Sequence, residues 1–386
     1  MTPETDNTSK YLEFLRYCIN DNRPVPESIK DINWHSLLEF ASQQTIQGIY
    51  ATTLLMQDGK MTKDDFKGNK PTDDDVMEWV FEMHRLKKNN ENLFKCSDKA
   101  CSWFLENGFK NCILKGQGNA LMYPNPFCRV SGDIDIWLDG TRDEILAFTT
   151  KYYNRTATDI HVDFPMFRDA SLEVHFRPSY MLNPFTDRKL RKYFNREKEK
   201  QFSNKVSSPN GKYNIFVPTN EFNIFYQLLH LYRHIANEGI GLRQIIDYFY
   251  LLRKCKNDRL SEESRKEFLN TLKEFGMIKF ASAIMYIMKD VLGIDDECLL
   301  LEPNEKEGKF LLNEVLLLGN FGRAETRKEA LETAEGHFKR FFIYEKYNFR
   351  LLSHYPSEVI WRPIRDLKAS WRNHHKEEKQ EIPKTT

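Results

Sequence analysis

Apolar residues recur at helical spacing through the first hundred positions. Tyr11, Leu12, Phe14, Leu15, Cys18 and Ile19 form one stripe, and Leu37, Leu38, Phe40, Ala41, Ile46, Ile49, Tyr50, Leu54 and Leu55 continue the pattern. Gln57 to Pro71 is polar and reads as a loop. A long helix is predicted from Asp73–Asp75, where acids suit the positive end of the helix dipole, to Glu106, with Asn107-Gly108 as its stop. Residues 1–107 therefore read as a helical cap, and no catalytic cluster stands out in it.

From Phe109 the period changes. Phe109–Leu114 predicts a first strand, and Asn111 to Asp139 reads as strand, glycine turn, small helix, loop and second strand. Thr141–Glu144 has capping-box form and opens a helix to about Tyr153. Ile160–Phe167 alternates, with Ile160, Val162, Phe164 and Met166 against His161, Asp163 and Pro165. Arg168–Ala170 reads as a turn. Ser171–Arg177 alternates again, placing Leu172, Val174 and Phe176 inward and Glu173, His175 and Arg177 on the other face. These segments predict a small mixed sheet with attached helices over residues 108–182.

Asn183–Gln201 is dense in charges of both signs and reads as a solvated helix or linker. Phe202–Val206 and Tyr213–Val217 flank Pro209-Asn210-Gly211, a hairpin signal, so residues 183–220 read as linker plus hairpin. The helical period returns at Glu221, with Phe222, Ile224, Phe225, Leu228, Leu229, Tyr232 and Ile235 on one face. Gly239-Ile240-Gly241 interrupts it, Leu242–Leu252 resumes it, and further helices are expected near 261–275, 277–291, 305–317 and 337–353. This makes a helical domain over 221–372, and the charged tail 373–386 is expected to be disordered. The fold class is α+β: a small mixed-sheet core between N-terminal and C-terminal helical domains.

Composition narrows the setting. Apolar residues make up 40% of the 386, enough for a real core, and the formal net charge of +1 disfavours a mainly electrostatic nucleic-acid binder. The basic run Arg188-Lys189-Leu190-Arg191-Lys192 is read as a solvated face in preference to an RNA contact. Seven cysteines with no CxxC pair argue against a disulfide framework or a structural zinc site. The first residues lack a secretion-signal pattern, and no run of about 18 apolar residues offers a membrane span. A cytoplasmic location with no membrane partner is expected.

Candidate chemistry sits on the second strand. Asp133 and Asp135 are two residues apart, so both project from one face, while Ile134, Ile136 and Leu138 face the other way. Adjacent carboxylates repel, and a core does not absorb them unpaired. A divalent cation resolves the conflict, magnesium first because it takes oxygen ligands and pairs with phosphates. Glu173 is the candidate third acid and Asp163 its rival; the plainer role for Glu173 is an ion pair with Arg177. Lys115 is a phosphate contact or a strand-end surface lysine. Arg129 is a phosphate clamp or the ion-pair partner of one of the aspartates. Gly116 and Gly118 suit a tight turn and close approach of a ligand to the backbone. His230 and His234 share a helix face at i, i+4 without the glutamate of a zinc protease, and packing is their commoner role. His175, on the face of Glu173, is divided evenly between lining a site and supporting structure.

In this order the residues resemble the nucleotidyltransferase superfamily built on the DNA polymerase beta palm. Lys115-Gly116-Gln117-Gly118 stands at the glycine turn, Asp133 and Asp135 match the hDxDh strand, and Glu173 in Leu172-Glu173-Val174-His175 matches the third acid. The chain is most similar to a bacterial group of uncharacterised nucleotidyltransferases, which carries a Lys-Gly turn, an arginine before GDID, a histidine after the third acid, and two histidines and an aspartate in a later helical domain. Arg129, His175, His230, His234 and Asp247 look like those residues, as do Tyr355-Pro356-Ser357-Glu358 and Trp361-Arg362-Pro363. The resemblance covers most of residues 85–370. It implies that Asp133, Asp135 and Glu173 hold two Mg2+ ions, with Mn2+ as the alternative. It further implies that Lys115, Gly116, Gly118, Arg129, Ser131, His230, His234, Arg243 and Asp247 contact an NTP, ATP first. A nucleoside monophosphate would pass to an unidentified acceptor, with nucleic acid the less favoured one. Lys115-Gly116 departs from the Gly-Ser of many active members, with Ser131 the nearby replacement hydroxyl. That departure motivates a second reading, a catalytically inactive nucleotide-binding or interaction protein of the same fold; an antitoxin-like partner of a separate helical nuclease is a third, which no residue here favours.

Overall fold

The computed structural model describes residues 3–21, 23–55, 61–62, 64–237, 239–258, 260–319 and 350–364. The expected tail at 373–386 lies outside them, as does most of the helix expected at 337–353, of which residues 350–352 are helical. The chain divides into two units, residues 1–179 with 194–325 and residues 180–193 with 326–386.

In the first unit, α1 (Pro3–Ile19), α2 (Trp34–Gln44), α3 (Gln47–Leu55) and α4 (Asp73–Glu106) precede the sheet. Their aromatic side chains meet: Phe14 lies edge-on to Trp34 and stacks on Tyr50, which meets Trp79. The start of α4 is fixed by a capping box in which Thr72 accepts from the Asp75 N–H and the Asp75 carboxylate accepts from the Thr72 N–H. Gly48 of α3 packs so closely on the Cys128 carbonyl that an added Cβ would stand 1.7 Å from that oxygen.

Next come β1 (Asn111–Ile113), α5 (Gln117–Ala120), β2 (Ile134–Leu138), α6 (Arg142–Thr149), β3 (His161–Asp163) and β4 (Leu172–His175). The sheet order is β1-β2-β4-β3, with β2 and β4 parallel and the other two pairs antiparallel. The alternation extends further than β3: Phe164 still donates to the Leu172 carbonyl, and the Met166 N–H then turns back to the Phe164 carbonyl. Ile134, Ile136, Leu138, Val162, Leu172 and Val174 join Phe94, Phe104 and other α4 residues in one core. The opposite face carries the acids and Trp137, whose ring meets Phe194, Phe202 and Phe222.

The charged stretch is α7 (Pro184–Ser203), and the expected hairpin is β5 (Lys205–Ser207) with β6 (Asn214–Phe216). Its surface carries Arg188, Lys189, Arg191 and Lys192 in solvent around a buried Leu190, the pattern of a solvated face. After it come α8 (Asn220–Asn237), α9 (Leu242–Asn257), α10 (Glu262–Glu274), α11 (Ile278–Tyr286), which runs into a π-helical turn at Ile287–Val291, and α12 (Glu305–Leu318). The architecture is α+β, as the periodicities indicate. No helix among the described residues is long and apolar enough to cross a membrane. In the second unit, a short helix at Pro356–Val359 carries Glu358, whose carboxylate accepts hydrogen bonds from the Leu182 N–H and the Thr186 hydroxyl.

Candidate active site

Strand register assembles the acids. Across the parallel pair Asp135 stands opposite Glu173, and across the antiparallel pair Glu173 stands opposite Asp163 and His175 opposite His161. Directly opposed residues share a face with Cβ atoms about 5 Å apart, so three strands contribute to one polar row. Ligand oxygens of Asp133, Asp135 and Glu173 all lie within 4.8 Å of one another. Asp163 sits beside Glu173 on the ladder but does not line the adjoining cavity. The Glu173 carboxylate lies not against Arg177 but 3.1 Å from His161 Nδ1 and 3.3 Å from His175 Nε2.

The charges are strongly interdependent. Burial opposes ionisation of Asp135, yet the Lys115 ammonium 3.0 Å away and the His175 ring 2.9 Å away outweigh it and hold the carboxyl well below its usual range. The charge of Asp135, reinforced by burial, pushes Asp133 up to about 6. Asp133 opens into a cleft walled by protein, where the charge of Asp135 acts on it with little screening. Glu173 is held low: burial opposes this, and the His175 hydrogen bond with the His175 and His161 charges outweighs it. His175 is raised because its bonds to Asp135 and Glu173 exceed the penalty of burial. Three carboxylates converging in a cleft, one of them destabilised by its neighbour's charge, fit a divalent cation with oxygen ligands.

The remaining walls come from the loop before β2 and from α8 and α9, around a cavity of about 360 Å³. Arg129 does not reach the acids. Its Nε and one terminal nitrogen each donate to Asp247 at 2.7 Å, and its other terminal nitrogen donates to the Ser131 hydroxyl at 3.0 Å. Asp247 also accepts from the Tyr123 hydroxyl at 2.7 Å and the Asn119 amide at 3.2 Å. This network locks α9 to the loop that delivers Asp133. Arg243 donates to the Val130 carbonyl at 2.9 Å, and its Nε is buried with no hydrogen-bond partner. His230 and His234 line the cavity with ring centroids 4.2 Å apart, and the Arg233 guanidinium lies 2.7 Å from His234 Nε2. Burial and the nearby Lys115 charge press His230 well below its ordinary value, toward the neutral ring.

Residues 30–293 match the family described as uncharacterised nucleotidyltransferase. The chain belongs to that family. A solved structure of an antigenic nucleotidyltransferase-like protein from Paracoccidioides brasiliensis is similar over 50% of this chain and 93% of that one, at 12% identity and a TM-score of 0.30. No curated protein matches.

Of the residues singled out in this nucleotidyltransferase family member, the cavity gathers Lys115, Gly116, Arg129, Ser131, Asp133, Asp135, Glu173, His175, His230, His234, Arg243 and Asp247. Gly118 is not among them. A Cβ there would meet Val217 Cγ1 at 3.0 Å, so this glycine permits packing against the segment after the hairpin. Gly116 adopts φ +49, the backbone state that favours glycine at the turn. Sequence reasoning passed over Thr45, Gln227, Arg233 and His161, all of which line the cavity. Gln227, His230 and His234 do form a polar stripe at i, i+3, i+7 between the apolar residues of α8, a signal that was readable. Thr45, at the end of α2 with φ 55, offered none.

Proposed function

We propose that the protein transfers a nucleoside monophosphate from an NTP, ATP first, to a hydroxyl acceptor and releases pyrophosphate. The observation that carries this reading is the convergence of Asp133, Asp135 and Glu173 in a cavity that Arg233 and Arg243 also line. Magnesium held by the three carboxylates would screen the phosphates and lower the pKa of the acceptor hydroxyl. The arginines supply planar forks suited to phosphate oxygens, and Lys115 supplies a compact charge near the acids. The acceptor oxygen forms a bond to the α-phosphorus, the bond to the β-phosphate bridging oxygen breaks, and Glu173, held ionised, takes the hydroxyl proton. The volume suits one nucleotide-sized ligand. All seven cysteines are unpaired and buried, which suits a reducing cytoplasm. The test is incubation with NTPs labelled at the α-phosphate and a cell extract: the wild type should label an acceptor and Asp133→Asn should not. Equal labelling by Asp133→Asn would sink the mechanism.

A second reading has its own observation. Asp135 is already engaged by Lys115 and His175, where a cation would otherwise sit. A non-catalytic nucleotide-binding protein would bind NTP equally with and without magnesium in calorimetry and release no pyrophosphate.

A further inference from the structure

The edge of the sheet beside the carboxylates carries a second donor set of different chemistry. His161 from β3 and His175 from β4 are ladder partners, and Glu173, two residues before His175 on β4, shares their face. One ligand atom from each of the three falls within 4.8 Å of the others. His161 Nδ1 stands 3.1 Å and His175 Nε2 3.3 Å from the same Glu173 oxygen, Oε2. Two ligands at right angles on a metal with bonds of about 2.1 Å are separated by about 3 Å, so these spacings match neighbouring vertices of one coordination sphere.

The same spacings would also suit hydrogen bonds, and His161 separates the two. Its Nδ1 is buried and, despite the short approach to Glu173, makes no hydrogen bond. The ring nitrogen therefore does not aim along the line to Oε2. In a shared coordination sphere it would aim about 45° off that line, toward the ion.

We propose that His161, Glu173 and His175 form a site for a first-row transition-metal dication, distinct in chemistry from the all-oxygen set of Asp133 and Asp135. Two imidazoles and one carboxylate select cobalt, nickel or zinc over magnesium, because nitrogen donors bind borderline ions and magnesium keeps to oxygen. His175 Nε2 also lies 2.9 Å from Asp135 Oδ1, so the ion would take the place of the proton shared there. The proposal does not depend on nucleotidyl transfer taking place, but it draws on one of the same carboxylates. Glu173 is the residue the two sets share, so the ion held here would bear directly on the residue assigned to take the acceptor's proton.

The full-length protein is dialysed against Co2+ with Mg2+ in large excess. One Co2+ should be retained per chain, and proton NMR should show paramagnetically shifted, exchangeable imidazole N–H resonances. His161→Gln, which keeps polarity and removes the imidazole, should weaken Co2+ binding at least tenfold, while Asp133→Asn should retain it. The proposal is overturned if excess Mg2+ displaces the Co2+, if the bound ion shows no shifted imidazole signals, or if Asp133→Asn abolishes binding and His161→Gln does not. None of these readouts involves transfer of label, so a chain that binds Co2+ as described and transfers nothing refutes only the nucleotidyl-transfer reading.

Discussion

The bond between Arg129 and Asp247 offers the sharpest energetic test. Their side chains are 4% and 5% exposed, and two parallel contacts of 2.7 Å join them. Asp247→Leu would strand a buried guanidinium at a cost of about 3–5 kcal/mol. It would also leave the Tyr123 hydroxyl and the Asn119 amide without their acceptor, adding about 1 kcal/mol each. Arg129→Met alone would strand the carboxylate, at about 3–5 kcal/mol, although Tyr123 and Asn119 would still serve it. The double variant Arg129→Met with Asp247→Leu removes both charges, so only the hydroxyl and amide penalties and imperfect packing remain, about 2–3 kcal/mol. A double-mutant cycle by urea denaturation, followed by far-ultraviolet circular dichroism, should therefore give a coupling of about 3 kcal/mol or more, with the double variant more stable than Asp247→Leu. Additive losses, or a single variant within about 1 kcal/mol of wild type, would show that the pair does not hold α9 to the loop.

Three further outcomes follow from individual contacts. Lys115→Met removes the ammonium 3.0 Å from Asp135, so Mg2+ should bind about tenfold more tightly in calorimetry; unchanged or weaker binding would mean the lysine does not compete for that carboxylate. Gly118→Ala should lower stability by about 1–3 kcal/mol through its clash with Val217, while leaving NTP affinity intact; weakened NTP binding with unchanged stability would instead return this glycine to the site. Burial raises Glu358 to about 7. Between its unfolded value near 4.5 and about 7 the folded state then binds more protons than the unfolded, and stability falls as pH rises, by up to about 3 kcal/mol. Glu358→Gln should flatten that slope in melts at pH 4.5–8, and an equally steep slope in the variant would rule this residue out.

What the chain's pattern disclosed depended on distance along the sequence. The acids at Asp133 and Asp135 were legible because a strand's period of two places both on one face, and Glu173 because it lies on the polar face of another alternating run. The acids at Asp73–Asp75 and the capping box at Thr141–Glu144 marked helix starts locally, and helices begin at Asp73 and Arg142. The partner of Arg129 was not legible in the same way. An arginine four residues before Asp133 is near the aspartates in sequence, yet its guanidinium meets Asp247, 118 positions away. Sequence proximity favours a local pair, whereas burial rewards whichever carboxylate offers two aligned oxygens and spare donors around it. His161 was hidden for a related reason: alternation placed it on a polar face, but only strand register brings it opposite His175. Gly118 shows the converse. Its neighbourhood in sequence is the glycine turn, its neighbourhood in space is Val217, and the second decides what a side chain there would disturb. The carboxylate centre is thus a property of two short strands, while the cationic wall facing it exists only once α8 and α9 are folded against the loop from Arg129 to Asp133. Destabilising the Arg129–Asp247 bond should therefore loosen that loop and the arginine-bearing wall together, leaving Asp135 and Glu173 held by the ladder they share.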